Sequence, residues 1–229
     1  MRRVRNQVLE ELPPRVTYDE VFQMTDEQRV LFDRLRKTSE ALPTFDGNNN
    51  DNDKSVIEID EHVFTKMRKE RDLCIHPCLV DPTIERTIEK SGKMKELKKI
   101  LLTQLGLGGG NDQMRNRALL FAQSSKTLDI VKEIVIDNLE GVTCDFFDGR
   151  VNERDRQRVL DRFNRDDGPD LLLLTTAIGG LGLNLQVANN VIFLENSWNF
   201  TDDEQAMARA HRMGQKRTVT VFNLITYGT

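Results

Sequence analysis

The hydrophobic positions in the second half of this chain follow two spacing patterns. Short apolar runs, bounded by polar residues and glycines, alternate with stretches in which apolar residues recur every three or four positions. Such runs are typical of buried parallel strands, and the wider spacing is typical of amphipathic helices. The runs occupy residues 118–122, 142–147, 171–175, 191–194 and 219–225. The pattern predicts an α/β fold whose parallel sheet is flanked by helices.

The first half of the chain predicts a largely helical extension over residues 1–90. Alternating apolar and polar residues at 15–23 predict a strand, and Thr25-Asp26-Glu27-Gln28 has the form of a capping box that begins a helix. The apolar stripe of this helix is predicted to be Val30, Leu31 and Leu35, followed a turn or two later by Ala41 and Leu42. Helical spacing resumes over residues 60–75.

Two polar or glycine-rich segments interrupt these patterns. Residues 46–54 are mostly asparagine and aspartate, so they predict a disordered loop inside the extension. A helix over residues 91–105 runs into the glycine-rich residues 106–112, which predict a hinge. We therefore predict that the second domain covers residues 91–229.

Composition and cysteine content restrict the ligands and the cellular compartment that the sequence predicts. The chain is 38% apolar and 31% charged with a formal net charge of −4, so any nucleic-acid contact must come from a local patch. Three cysteines imply no disulfide framework and favour a reducing, intracellular compartment. Cys74 and Cys78 flank His76, but without a second ligand pair this spacing favours a packed helix end over a metal site. No apolar run approaches the roughly 18 residues of a membrane span.

Ligands of parallel α/β sheets gather at the carboxyl ends of the strands. The residues predicted at this edge are Gln123, Asp148 and the ranges 175–185 and 195–199. Gly179, Gly180 and Gly182 follow one of the strands. Because they lack a Cβ, they suit either the close approach of a phosphate or a tight turn into a helix, and both interpretations stay open.

A second candidate site lies in residues 201–215. They predict a helix that begins with a capping box, Thr201 and Glu204, and ends at Gly214. Arg209 and Arg212 then share one face near its C-terminus, where the helix dipole favours cations. Alternatively, these arginines form a donor cluster for a γ-phosphate together with His211 and Gln215.

The chain lacks the other parts of a nucleotide site. It contains no Gly-x-x-x-x-Gly-Lys-Ser/Thr loop, and no Asp-Glu pair follows a strand in the way that magnesium binding requires. The arginines must therefore complete a site built by another domain.

Several arginines crowd the predicted helix over residues 152–165. Those on its outer face are Arg154, Arg158, Arg162 and Arg165. Because acidic residues are interleaved, a solvated charged face is the first interpretation, and a track for a DNA phosphate backbone is the alternative.

The motifs resemble those of the Swi/Snf-type remodelling ATPases of helicase superfamily two. Residues 175–185 are similar to motif V of that family, residues 205–215 to motif VI and residues 118–123 to motif IV. Cys74-Ile75-His76-Pro77 resembles the Cys-Asn-His-Pro signature of the family, with Ile75 departing from it. Within the family, the likeness is closest to the ATPases that remove TATA-box-binding protein from DNA.

The resemblance implies the second, C-terminal RecA-like lobe of a double-stranded-DNA translocase, a DNA-dependent ATPase lobe that is inactive alone. Arg209 and Arg212 would be arginine fingers, with Gln205 and Gly182 also at the nucleotide. The implied DNA contacts are Gln123, Thr176, Gly180 and Trp198. ATP and Mg²⁺ would be bound mainly by the first lobe of the same parent chain, and the other partners would be DNA and TATA-binding protein in the nucleus.

Other functions stay open at this point. The parent could remodel nucleosomes, as other members of the family do. The lobe could also be a non-catalytic docking module for a transcription factor or for a partner's ATPase domain, and a strand-separating helicase is a weaker third interpretation.

Overall fold

Five apolar runs and the alternating segment near the N-terminus form the strands of a six-stranded sheet. The strands are β1 (Arg15–Phe22), β2 (Ala118–Ala122), β3 (Cys144–Phe147), β4 (Leu171–Thr175), β5 (Asn190–Phe193) and β6 (Val219–Thr226). They are ordered β1-β6-β5-β2-β4-β3, and β3 to β4, β4 to β2, β2 to β5 and β5 to β6 are parallel pairs. Every residue of β2, β4 and β5 is buried, as strands covered on both faces require. The predicted α/β class and the predicted strands are confirmed.

The structure is a computed structural model that describes residues 12–40, 52–104, 106, 115–179 and 182–229. It divides into one unit within residues 1–22 and 96–225 and another within residues 23–95 and 226–229. β1 therefore belongs to the unit of the sheet, although the sequence analysis assigned it to the extension.

Helices cover the sheet and build the second unit. They are α1 (Asp26–Glu40), α2 (Asn52–Ile75), α3 (Gly92–Lys99), α4 (Ser125–Ile134), α5 (Glu153–Asn164), α6 (Thr176–Gly179) and α7 (Phe200–Met207). A π-helical turn, Ile100–Gln104, continues α3. Of the predicted loop over 46–54, residues 46–51 lie outside the described part of the chain and α2 begins at Asn52. Most of the predicted hinge over 106–112 also lies outside it.

The core of the first unit lies between the sheet and its helices. Phe121 of β2 and Phe193 of β5 stack with ring centroids 5.3 Å apart, and both are buried. Phe163 of α5 and Ala206 of α7 pack into the same cluster. The sheet is therefore held rigidly, so that its strand ends present their loops in a defined arrangement.

The beginning of α1 follows the prediction, but its buried face does not. Gln28 donates its backbone N–H to Thr25 Oγ1 at 3.2 Å, and Thr25 donates its N–H to Gln28 Oε1 at 3.1 Å, so the capping box is confirmed. Phe32 is fully buried, whereas Val30 is 52% exposed. Residues two apart on a helix point in nearly opposite directions. Because α1 packs through Phe32 on Leu73, the prediction for Val30 is wrong.

His76 ends α2 with a local hydrogen-bond network. Its Nδ1 accepts the N–H of Cys78 at 3.2 Å, and its Nε2 lies 3.0 Å from the carbonyl oxygen of Thr87. Since Nδ1 accepts, the ring is the neutral tautomer that donates from Nε2. Burial raises the pKa of the nearby Cys74 thiol. The Cys-x-His-x-Cys segment is thus a packed helix end.

Candidate nucleotide and DNA site at the carboxyl edge of the sheet

Two residues predicted to contact DNA meet where β2 and β4 end. The hydroxyl of Thr176 donates to the carbonyl oxygen of Ala122 at 3.3 Å and accepts from Gln123 Nε2 at 3.3 Å. Thr176 is buried, and Gln123 is half-buried. The structure therefore brings these two residues together and uses the Thr176 hydroxyl to hold the side chain of Gln123.

Glu195 organises the same edge from the end of β5. One of its carboxylate oxygens accepts the backbone N–H of Gln123 at 3.1 Å, and the other lies 3.5 Å from the hydroxyl of Thr127 in α4. The carboxylate is buried. The sequence analysis assigned Glu195 no role, although a carboxylate directly after a buried strand is a signal for such a bridge.

A backbone hydrogen bond joins residues 179–185, the glycine turn that follows β4, to residues 208–215, the segment that carries Arg209 and Arg212. Gly180 lies outside the described residues, so its predicted DNA contact has no structural counterpart here. Gly182 is exposed, and no atom lies within 4 Å of the position that its Cβ would occupy. A few residues later, Leu185 donates its N–H to the carbonyl oxygen of Arg209 at 3.2 Å. The two segments that the sequence singled out are thus neighbours in space.

α7 begins earlier and ends earlier than predicted. Asn199 is its N-cap, and the Asn199 side-chain oxygen accepts the N–H of Thr201 at 3.2 Å. The predicted capping box of Thr201 and Glu204 is therefore wrong. The helix ends at Met207, so Arg209 and Arg212 do not lie on a helical face as predicted.

Residues 208–215 instead form a sequence of tight turns. Arg209 donates its N–H to Ala206, Arg212 to Ala210 and Gln215 to Arg212, at 3.1, 3.2 and 3.0 Å. Ala210 and Gln215 of this segment are buried. Gly214 has φ +98°, a left-handed conformation that glycine adopts at little cost.

The turns nevertheless keep the two arginines close. Burial lowers the pKa of Arg209, and the positive charge of Arg212 lowers it further. Arg209 is half-buried, whereas Arg212 and Gln205 are exposed. Guanidinium groups stay protonated in proteins, so the segment presents two neighbouring positive charges with planar donor groups. This arrangement fits an anionic phosphate group.

Gln215 and His211 do not belong to a donor cluster for a phosphate. Gln215 is buried, and its Nε2 contacts three carbonyl oxygens while its Oε1 accepts two backbone N–H groups. Nε2 of His211 lies 2.8 Å from the carbonyl oxygen of Pro13. That part of the prediction is wrong, because both side chains are used inside the protein.

A buried carboxylate shapes the loop that carries Trp198. Both carboxylate oxygens of Asp203 accept the N–H of Ser197, at 3.1 and 3.0 Å, and one also accepts from Asn196 at 3.2 Å. Burial raises the pKa of Asp203 despite these hydrogen bonds. Trp198 and Phe200 are 73% and 71% exposed. The sequence analysis missed Asp203. An aspartate in the first turn of a helix is the signal that could have indicated its contact with the preceding loop.

Three of the four arginines predicted on the outer face of α5 have acidic partners. Arg162 pairs with Asp145, and Arg158 pairs with Asp155 at 2.9 Å. Arg165 pairs with Asp167 at 3.0 Å. These pairs favour the interpretation of a solvated charged face over a phosphate track.

Asp148, at the end of β3, is fully buried beneath Arg150. Arg150 donates to Asp148 from its backbone N–H at 3.0 Å and from its guanidinium at 2.6 Å, and it also binds Asp129 at 2.9 Å. Burial alone would raise the pKa of Asp148, but the hydrogen bonds from Arg150 outweigh it and the pKa is lowered.

Replacing Asp148 by asparagine is expected to remove a stabilisation that depends on pH. A carboxyl whose pKa is lower in the folded state stabilises the fold above its unfolded pKa of about 4, and this contribution is lost as the pH falls through the folded value. The difference in unfolding free energy between the protein and Asp148→Asn, measured by urea unfolding, should narrow between about pH 6 and about pH 3. Asp129→Asn, which removes the half-exposed partner of Arg150, should change stability little.

Comparison with known proteins identifies the family of this lobe. Residues 92–214 match the family described as helicase conserved C-terminal domain, which is more than half of the chain. The chain belongs to this helicase C-terminal domain family. It is 36% identical over its whole length to TATA-binding protein-associated factor 172 of Homo sapiens and 34% identical to TATA-binding protein-associated factor MOT1 of Saccharomyces cerevisiae. It spans 14% of the length of each of these relatives.

Solved structures of helicase C-terminal lobes share the fold. The C-terminal part of the Fun30 ATPase domain aligns with a TM-score of 0.66 and 24% identity, over 95% of this chain and 87% of that one. The Sulfolobus solfataricus SWI2/SNF2 ATPase core in complex with dsDNA aligns with a TM-score of 0.73 and 22% identity, over 98% and 43% of the chains. The predicted RecA-like lobe and its resemblance to Swi/Snf-type ATPases, with TATA-binding-protein-associated relatives, are confirmed.

Among the helices in the described ranges, none combines the length and apolar character that crossing a membrane requires. Nor do the described residues group three His, Cys, Asp or Glu side chains in a way that could hold a metal ion.

Proposed function

We propose that this lobe is the second motor half of an ATP-dependent translocase on double-stranded DNA, whose parent displaces TATA-binding protein from DNA in the nucleus. The observation that carries the proposal is the hydrogen bond between Leu185 and Arg209. It joins the glycine turn that follows β4 directly to the paired arginines. In this proposal, the backbone contact is the link through which a change at one segment would move the other.

On the nucleotide side, Arg209 and Arg212 are the groups that would bind the γ-phosphate of ATP. ATP supplies the phosphoryl group that is transferred, and the first lobe of the parent would hold most of the nucleotide and Mg²⁺. A guanidinium aimed at the transferring group stabilises the charge that develops there, and such a group contributes roughly 10³–10⁵ in rate. Gln205, exposed on α7, and Gly182, open to solvent, would line the same interface.

On the DNA side, the proposal assigns contacts to the neighbouring edge. Gln123 is held by Thr176 and Glu195, so its side chain is already oriented where the strands end. Trp198 offers a large exposed ring on a loop fixed by Asp203. Thr176 and Gly180 belong to the turn that would lie along the phosphate backbone. The name of a structural neighbour, an ATPase core in complex with dsDNA, and the names of the TATA-binding-protein-associated relatives support the DNA and protein partners.

A reconstitution experiment tests the proposed function. The 229-residue chain alone is expected to show no DNA-stimulated ATP hydrolysis, because the nucleotide site needs both lobes. The parent with both lobes is expected to hydrolyse ATP when double-stranded DNA is added and to release TATA-binding protein from a labelled TATA duplex. Appreciable DNA-stimulated hydrolysis by the isolated chain would contradict the division of labour between the lobes.

A further inference from the structure

The segment Pro13-Pro14-Arg15, which leads into β1, is fastened to the arginine-bearing turns. The carbonyl oxygen of Pro13 lies 2.8 Å from Nε2 of His211. The carbonyl oxygen of Pro14 accepts the N–H of Val219 at 3.1 Å, at the start of β6. Pro13 thus contacts the turns that follow α7, and Pro14 contacts the first residue of β6.

Arg15 holds the helix that precedes the turns. Its Nη1 lies 3.2 and 3.3 Å from the two carboxylate oxygens of Glu204 and 3.8 Å from the sulfur of Met207, the last residue of α7. The Arg15 and Glu204 side chains are 34% and 24% exposed, so solvent screens this pair less than it screens a surface pair. Arg15 therefore attaches the C-terminal half of α7 to β1.

The turns receive support from outside their own segment. Arg209 and Arg212 follow the last helical residue, and their backbone N–H groups donate locally, to the carbonyl oxygens of Ala206 and Ala210. Leu185 holds this segment on one side through the carbonyl oxygen of Arg209, and Pro13 holds it on the other through His211. Two consecutive prolines have a fixed φ and few accessible conformations, which makes the holding segment stiff.

We propose that His211 and Arg15 are positioning residues for the arginine pair. They seat residues 13–15 against the turns and thereby fix where the guanidinium groups of Arg209 and Arg212 point. The proposal rests on the proposed function, since it assumes that these arginines complete a nucleotide site. A displacement of about 1 Å at a reacting centre can cost 10²-fold in rate, so a loosened turn affects turnover without removing either arginine.

The test uses the two-lobed parent ATPase with His211→Leu and His211→Gln. His211→Leu removes the donor to Pro13 and is expected to lower kcat about 10-fold to 100-fold with little change in KM for ATP, whereas His211→Gln keeps an N–H donor and should restore most of kcat. Arg15→Gln, at a partly exposed position where folding is not at risk, should lower kcat in the same way. Asp19→Ala is the matched control, because Asp19 joins β1 to Asn223 of β6 and does not touch the turns.

A double variant separates positioning from a general loss of stability. In the Arg209→Ala background, His211→Leu should lower kcat by a smaller factor than it does in the unaltered parent, because the part of its effect that acts through Arg209 is already lost. Equal effects in both backgrounds, or an unchanged kcat for both His211→Leu and Arg15→Gln, would overturn the positioning role. If Arg209→Ala itself leaves turnover intact, the proposed motor function is wrong, whatever the His211 variants show. Failure of the motor function is therefore distinguishable from failure of the positioning role.

Discussion

Replacing Arg209 by alanine in the parent ATPase is expected to lower kcat by about 10³–10⁵-fold while nucleotide binding is retained. Arg209 is half-buried whereas Arg212 is exposed, so the guanidinium of Arg209 is the better fixed of the pair. Such a group acts mainly on the charge that develops during phosphoryl transfer, which is why turnover falls more than binding. Arg209→Lys should recover little, since lysine lacks the planar fork of donors.

DNA-stimulated ATP hydrolysis at saturating DNA measures this prediction, and a fluorescent nucleotide measures binding. Arg158→Ala removes an exposed arginine of α5, and it should leave both quantities unchanged. If Arg209→Ala and Arg212→Ala both retain turnover but the parent loses a protein partner, the docking-module interpretation is supported instead. A nucleosome remodeller would pass the Arg209 test, so release of TATA-binding protein has to be measured separately.

Replacing Gln215 by leucine is expected to lower the unfolding free energy of the lobe by about 3–4 kcal/mol. The Gln215 amide contacts the carbonyl oxygens of Gln186, Ala188 and Ala210, and it accepts from the N–H groups of Lys216 and Arg217. Leucine fills a similar volume but leaves these backbone groups without their partner inside the protein. Unsatisfied buried groups cost more than the net value of the hydrogen bonds they lose.

Urea unfolding followed by circular dichroism measures this loss. Gln205→Leu is the matched control, because Gln205 is exposed on α7 and the same substitution there should change stability by no more than about 0.5 kcal/mol. The opposite result would be an unchanged unfolding free energy of the lobe together with loss of ATP hydrolysis by the parent. That result would support the sequence-based prediction that Gln215 is a phosphate donor.

The elements predicted well are those whose signal is local. The five apolar runs became β2–β6, and the signal was clearest for β2, β4 and β5, because every residue of these three strands is buried. The capping box of α1 formed as expected because its two hydrogen bonds join residues three apart. The arginine pair was recognised from the spacing of motif VI and remained a pair in space.

The errors arose where a distant residue competed with a local pattern. Thr201 and Glu204 have capping-box spacing, but Asn199 caps the helix and Glu204 binds Arg15, which is 189 positions away. Val30 fits a helical stripe, but Phe32 has the larger side chain to bury against Leu73. Local spacing offers several faces and caps of similar free energy, and packing selects among them.

The sequence by itself determined the α/β class, the strands and the family, and it singled out Arg209 and Arg212 as candidate site residues. Each of these inferences depends on the order of neighbouring residues. Only the tertiary structure decided that Gln215 supports the backbone, that Arg209 follows a helix instead of lying on it, and that His211 contacts Pro13. The last contact joins residues 198 positions apart. No local propensity encodes such a contact, since it forms only when the parallel sheet brings the chain before β1 beside the chain before β6.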